Sequence, residues 1–162
     1  MVAGVVQRCG VHLGDDLPVN LEDQLFVAGV PIPEMLRTIE ARNESNRMWG
    51  WKFPRAASYI QTLEPHLRNP HYIVVWRDVF ATATRSIRRG HDVVHTLNWA
   101  HEIQAQNIRA IEQLNGPSML VSYEKAVLSP KDLAIDIKNF IGSGAEIDEE
   151  ELLRFAEPGS YK

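Results

Sequence analysis

The chain has 162 residues, 44% hydrophobic and 23% charged, with a formal net charge of −4. That length and composition suit one globular domain with a real core and exclude a disordered chain. The acidic balance argues against nucleic acid or an anionic membrane as the main partner.

The lone cysteine, Cys9, cannot build a disulfide framework or a cysteine-based zinc site, and it points to a reducing compartment. No apolar run reaches the length of a membrane span, and the opening MVAGVVQRCG lacks the charged lead of a signal peptide. A cytoplasmic location is therefore expected. No repeat, low-complexity segment or linker interrupts residues 1–162, which read as a single domain.

In chain order, residues 1–9 are predicted helical, with Gly10 as the stop. Residues 12–20 (HLGDDLPVN) form a loop. Residues 33–42 form a helix with proline near its start. Residues 48–53 form a short aromatic strand that Pro54 ends, and residues 57–67 a helix closed by Arg68-Asn69-Pro70. Residues 72–76 (YIVVW) are an apolar, β-branched run, as in a strand buried on both faces. Asp78 then caps a helix running to about Arg89, with Gly90 as its stop.

Residues 93–114 make a long helix. Its stripe of Val94, Leu97, Ile103, Ile108, Ile111 and Leu114 is expected in the core, as are Trp49, Trp51, Trp76 and Trp99. Residues 119–122 form a third strand. Residues 130–141 form an amphipathic helix with Leu133, Ile137, Phe140 and Ile141 on one side, broken by Gly142-Ser143-Gly144. Residues 148–156 form a last helix with an acidic first turn. Strands alternating with helices predict an α/β fold, a parallel sheet with right-handed crossovers and helices on both faces.

Positive charge is concentrated between Trp49 and Arg89. Lys52 and Arg55 follow one predicted strand, Arg77 stands where another strand meets a helix, and Arg85, Arg88 and Arg89 lie along that helix. Cations and a helix N-terminus at the carboxyl ends of adjacent strands make an anion site.

Three blocks carry a family resemblance: WGWKFPR (49–55), YIVVWRDVFATATRSIRR (72–89) and MLVSYEKAVLSPKDLAIDIKNFIG (119–142). Their order and spacing, with the ending FAEPGSYK, resemble bacterial-type sulfotransferases that use 3′-phosphoadenosine-5′-phosphosulfate (PAPS). The resemblance implies a P-loop-type three-layer fold and transfer of a sulfuryl group to a hydroxyl or amine, on a small-molecule, carbohydrate or lipid acceptor. The family's phosphosulfate cradle, of the type Arg-Ser-Gly-Thr-Ser, precedes the segment with which this chain starts. No similar Gly-rich cradle occurs in the sequence. The expectation is a sulfotransferase-like domain lacking the first strand and P-loop, with impaired activity and with exposed sheet edges open to self-association.

The resemblance implies that Arg77 binds the nucleotide's 3′-phosphate; the alternative is an arginine paired with Asp78 or another carboxylate. The family's phosphate-binding serine falls eight positions after that arginine, which is Arg85 here, with Ser86 beside it. Either could reach the phosphate, or Arg85 is a solvated arginine. Lys52 is expected near the sulfuryl group, stabilising charge on the departing oxygen, or else is a surface lysine. Phe53 stands where the family often has an acid. Arg55 belongs to the same basic mouth, and Tyr123 is expected at the adenine or as a strand-end aromatic. For the base, His12, Asp15 and Asp16 lie in a suitable loop without a motif that selects one.

His91 and His95 have the i, i+4 spacing of a metal-binding helix face but no third ligand, and a solvated helix is the simpler reading. A metal-dependent hydrolase is thus the weakest alternative. The main one is a non-catalytic remnant that binds a nucleotide or a partner.

Overall fold

The structure, a computed structural model, describes residues 1–156, with Arg85 and Ser86 described as backbone only. The predicted roles of those two side chains, and the close of the chain beyond Ala156, lie outside the described residues. The elements run α1 (Val2–Arg8), α2 (Ile32–Ser45), α3 (Ile60–Leu63), β1 (Tyr72–Trp76), α4 (Val79–Ile87), α5 (Val93–Gln113), β2 (Ser118–Ser122), α6 (Tyr123–Leu128), α7 (Pro130–Ile141) and α8 (Glu149–Ala156). Among the described residues no helix is long and apolar enough to cross a membrane.

β1 and β2 pair in parallel, in a register from Tyr72↔Ser118 to Trp76↔Ser122. Register partners share a face and successive residues alternate. Ile73, Met119 and Val121 therefore point together into a core formed with Val2, Val5 and Cys9 of the α1 segment, Leu133, Ala134 and Ile137 of α7, and Leu152 of α8. The helices are bounded by local chemistry. Pro130 opens α7 at a position that needs no N–H, and Gly142 closes it in the left-handed conformation (φ 65°). Asp78 accepts a hydrogen bond from the Ala81 N–H at 2.6 Å and so caps α4.

Several expectations need correction. Residues 48–53 form no strand. They touch the preceding loop through two isolated bridges, His12↔Trp49 and Glu22↔Lys52. The bridge positions are ten residues apart on the loop but three apart on the aromatic segment, so no continuous ladder can form. The aromatic rings pack instead. Trp51 stacks on Phe26 with centroids 4.3 Å apart and on Trp49 at 5.8 Å. The Trp51 indole donates to the Tyr59 hydroxyl at 3.0 Å, and that hydroxyl donates to the Phe26 carbonyl at 2.6 Å. Burial pushes the Tyr59 phenol up to about 12.

The predicted helix over 57–67 is broken into α3 between two 3₁₀ turns, Ala56–Ser58 and Glu64–His66. Pro65 has no N–H to continue the α ladder. β1 is not buried on both faces: Val75 is 37% exposed, and Leu120 of β2, in register with Val74 on the other face, is 60% exposed. No third strand flanks the pair among the described residues. The α5 stripe also sits differently. Thr96 and Ala100 are its buried residues, while Val94, Trp99 and Ile108 are exposed. Leu97, Ile103, Ile111 and Leu114 are half-buried.

At the amino ends of the strands, an open cleft of about 510 Å³ is lined by Glu64, Pro65, Asn69, Pro70 and residues 115–117. Glu64 bridges it: its carboxylate accepts from the Tyr72 hydroxyl at 2.8 Å and from the backbone N–H groups of Asn115 and Gly116 at 2.9 and 3.1 Å. A Cβ on Gly116 would lie 2.6 Å from the Pro70 carbonyl oxygen and 2.8 Å from the Tyr72 ring. Gly116→Ala is thus expected to cost about 1–3 kcal/mol, read from urea unfolding. An unchanged midpoint would mean that the 115–117 turn shifts freely.

Candidate functional site

The parallel register carries β1 and β2 to a common end, Trp76 opposite Ser122. The next residues, Arg77 and Tyr123, therefore emerge side by side, and the Arg77 guanidinium carbon lies 4.8 Å from the Tyr123 ring centroid. The Arg77 carbonyl accepts a 2.6 Å hydrogen bond from the Gln104 side chain, tying the strand end to α5. Arg77, Ala81, Thr84, Arg88 and Arg89 line an open cleft of about 450 Å³. The spacing from 77 through 81 and 84 to 88 is one helical stripe, continued backward from α4 into the strand end.

Among the described residues, Arg77, Arg88 and Arg89 have no carboxylate within ion-pair distance. The Arg77–Asp78 ion pair is thus not formed; Asp78 caps its own helix. Cations with no carboxylate partner among the described residues, beside an aromatic ring, can hold a phosphorylated group. The larger cleft, at the opposite end of the sheet, offers no such chemistry, because Glu64 is already engaged there by four hydrogen bonds.

The head of α4 differs from the expected anion site. The Ala81 N–H is taken by Asp78 and the Asp78 N–H by Glu124 Oε1 at 3.0 Å. The cations line the flank of α4, not its tip.

Lys52 and Arg55 do not line this cleft. The Lys52 ammonium lies 2.6 Å from Glu22 Oε1 and 3.3 Å from the Asn20 carbonyl. Arg55 lies over the Phe53 ring at 5.7 Å. His12 sits 4.0 Å from Asp15. His91 and His95 are exposed at the start of α5, where Asp92 caps the helix through the His95 N–H.

Thr84 and Glu22 were missed by sequence reasoning, and Glu124, read there as a cap of the turn after Tyr123, instead accepts from the Asp78 N–H. Thr84 could have been found from its place on the Arg77–Arg88 stripe. Glu22 is 30 residues from Lys52, and Glu124 is 46 residues from Asp78. Neither pairing leaves a local signal, since each depends on how the loop and strands are brought together. No family model matches the chain, and no curated protein or solved structure matches it.

Proposed function

We propose that this is a nucleotide-binding domain of the PAPS-dependent sulfotransferase type, with a P-loop-type fold. Arg77 takes the 3′-phosphate, Tyr123 lies along the adenine, and Arg88 extends the anion surface down α4, past Thr84, whose hydroxyl donates to the Phe80 carbonyl. The observation that carries this reading is the meeting of Arg77 and Tyr123 at the register-matched carboxyl ends of two parallel strands. Ligands of open α/β sheets bind at such an edge.

PAPS supplies the sulfuryl group, and a hydroxyl or amine of a small-molecule, carbohydrate or lipid acceptor receives it. In the enzyme reading the acceptor's proton goes to a base on the loop of His12, Asp15 and Asp16, and Lys52 stabilises charge on the departing oxygen.

A second reading, binding without turnover, is favoured by one observation. The Lys52 ammonium is engaged by Glu22 and Asn20 away from the Arg77 cleft.

Calorimetric titration with 3′-phosphoadenosine-5′-phosphate tests the nucleotide site. Saturable binding is expected, weakened by roughly 1.5–3 kcal/mol in Arg77→Ala, as for a lost hydrogen bond to a charged group. Absence of binding by the folded protein, or binding indifferent to Arg77→Ala, would reject it. Sulfuryl transfer from PAPS to a panel of sugar acceptors separates the two readings: turnover supports the enzyme, and binding without turnover the remnant.

A further inference from the structure

The two strand ends interlock at adjacent positions. Arg77 lies over Tyr123, and the next residue along each strand end makes a second contact, the Asp78 N–H donating to Glu124. Glu124 is thus a negative charge held at the head of α4, next to residues that present the cations of the cleft. Its carboxylate also uses a backbone donor that an incoming phosphate would otherwise find there.

We propose that Glu124 is a specificity-determining residue of the Arg77 cleft. This inference rests on the reading of that cleft as an anion site. Glu124 places negative charge at the tip of α4, takes the Asp78 N–H there and sets a limit on the negative charge that the cleft accepts. Phosphate then binds along the flank, among Arg77, Arg88 and Arg89, as the end group of a larger molecule whose base contributes through Tyr123. A small free anion gains nothing from the ring and meets the full repulsion of Glu124. The cleft therefore prefers a nucleotide phosphate over inorganic phosphate by more than contact area alone would give. Asp78, the other carboxylate at this helix end, adds to the repulsion but is engaged by its own helix.

Glu124→Gln separates charge from geometry, because the amide oxygen can still accept from the Asp78 N–H. The variant is expected to bind 3′-phosphoadenosine-5′-phosphate roughly three- to tenfold more tightly at low salt, with a larger relative gain for inorganic phosphate. The difference is expected to shrink as salt is raised. An unchanged melting temperature would place the effect in the site rather than in the fold. Binding by Glu124→Gln alone, with none by the wild type, also supports the proposal, in the stronger form of a closed site.

Equal or weaker binding by Glu124→Gln overturns this inference. If the wild type still binds and Arg77→Ala still weakens binding, the nucleotide reading survives that result. No binding of either ligand by either protein overturns both.

Discussion

Arg42→Ala is expected to lower stability by about 3–5 kcal/mol, the cost of leaving a buried charge without its partner. Met35, Ile39 and Arg42 form the buried stripe of α2, and the third of them is an arginine. Its Nη2 lies 2.6 Å from Asp23 Oδ2, with 10% and 5% of the two side chains exposed. Asp23 Oδ1 also accepts from the Leu25 N–H at 3.0 Å. The contact between Arg42 and Asp23 Oδ2 is close but off the line of a good hydrogen bond, and Arg42 Nη1 has no hydrogen-bond partner.

The aromatic faces offset part of that deficit. The guanidinium carbon is 5.4 Å from the Phe26 centroid and 5.5 Å from that of Trp49. Arg42→Lys keeps the charge but loses the planar group over the rings, so it should recover only part of the loss. Urea unfolding at neutral pH measures both. A loss below about 1 kcal/mol for Arg42→Ala, the range of an exposed pair, would contradict a dry, paired interior here.

Glu64→Ala is expected to cost about 3 kcal/mol, the worth of one or two hydrogen bonds to a charged acceptor, and to change the response to acid. Burial raises the Glu64 pKa. The hydrogen bonds from Tyr72, Gly116 and Asn115 outweigh it, leaving the group below its ordinary value of 4.5. The unfolded chain therefore takes up the proton first as pH falls. The stabilisation is complete above the unfolded value and is lost as pH drops through the folded one. As pH falls through and below about 4.5, the wild type should lose stability more steeply than Glu64→Gln, whose amide does not titrate. Parallel acid limbs for the two proteins would mean that this carboxylate does not tie β1 to the turn before β2.

Both predictions rest on contacts that no local pattern announces, and they mark the boundary of what was legible in the sequence. β1 was legible because five apolar residues run unbroken between His71 and Arg77. α7 was legible at both ends because proline and glycine have positional meaning there. The strand expected over 48–53 failed because a strand is defined by its partner, and the partner is a loop whose spacing does not match. The helix over 57–67 failed at Pro65, where the missing N–H outweighed the helical pattern around it.

The candidate site was legible in the same uneven way. Arg77 and Tyr123 could be singled out as strand-end residues, and the parallel register then brings them into contact. Lys52 was singled out by the same logic, yet Glu22, delivered by an isolated bridge, takes up its charge. An arginine at the third position of an apolar stripe, as in α2, looks solvated until Asp23 is brought to it.

The most direct test of the central claim is backbone amide shift mapping with 3′-phosphoadenosine-5′-phosphate. The account predicts dose-dependent shifts centred on residues 77–84 and 122–124, at the carboxyl ends of β1 and β2. Shifts centred on Glu64 and residues 115–117, at the other end of the sheet, would contradict it, as would a spectrum that does not change.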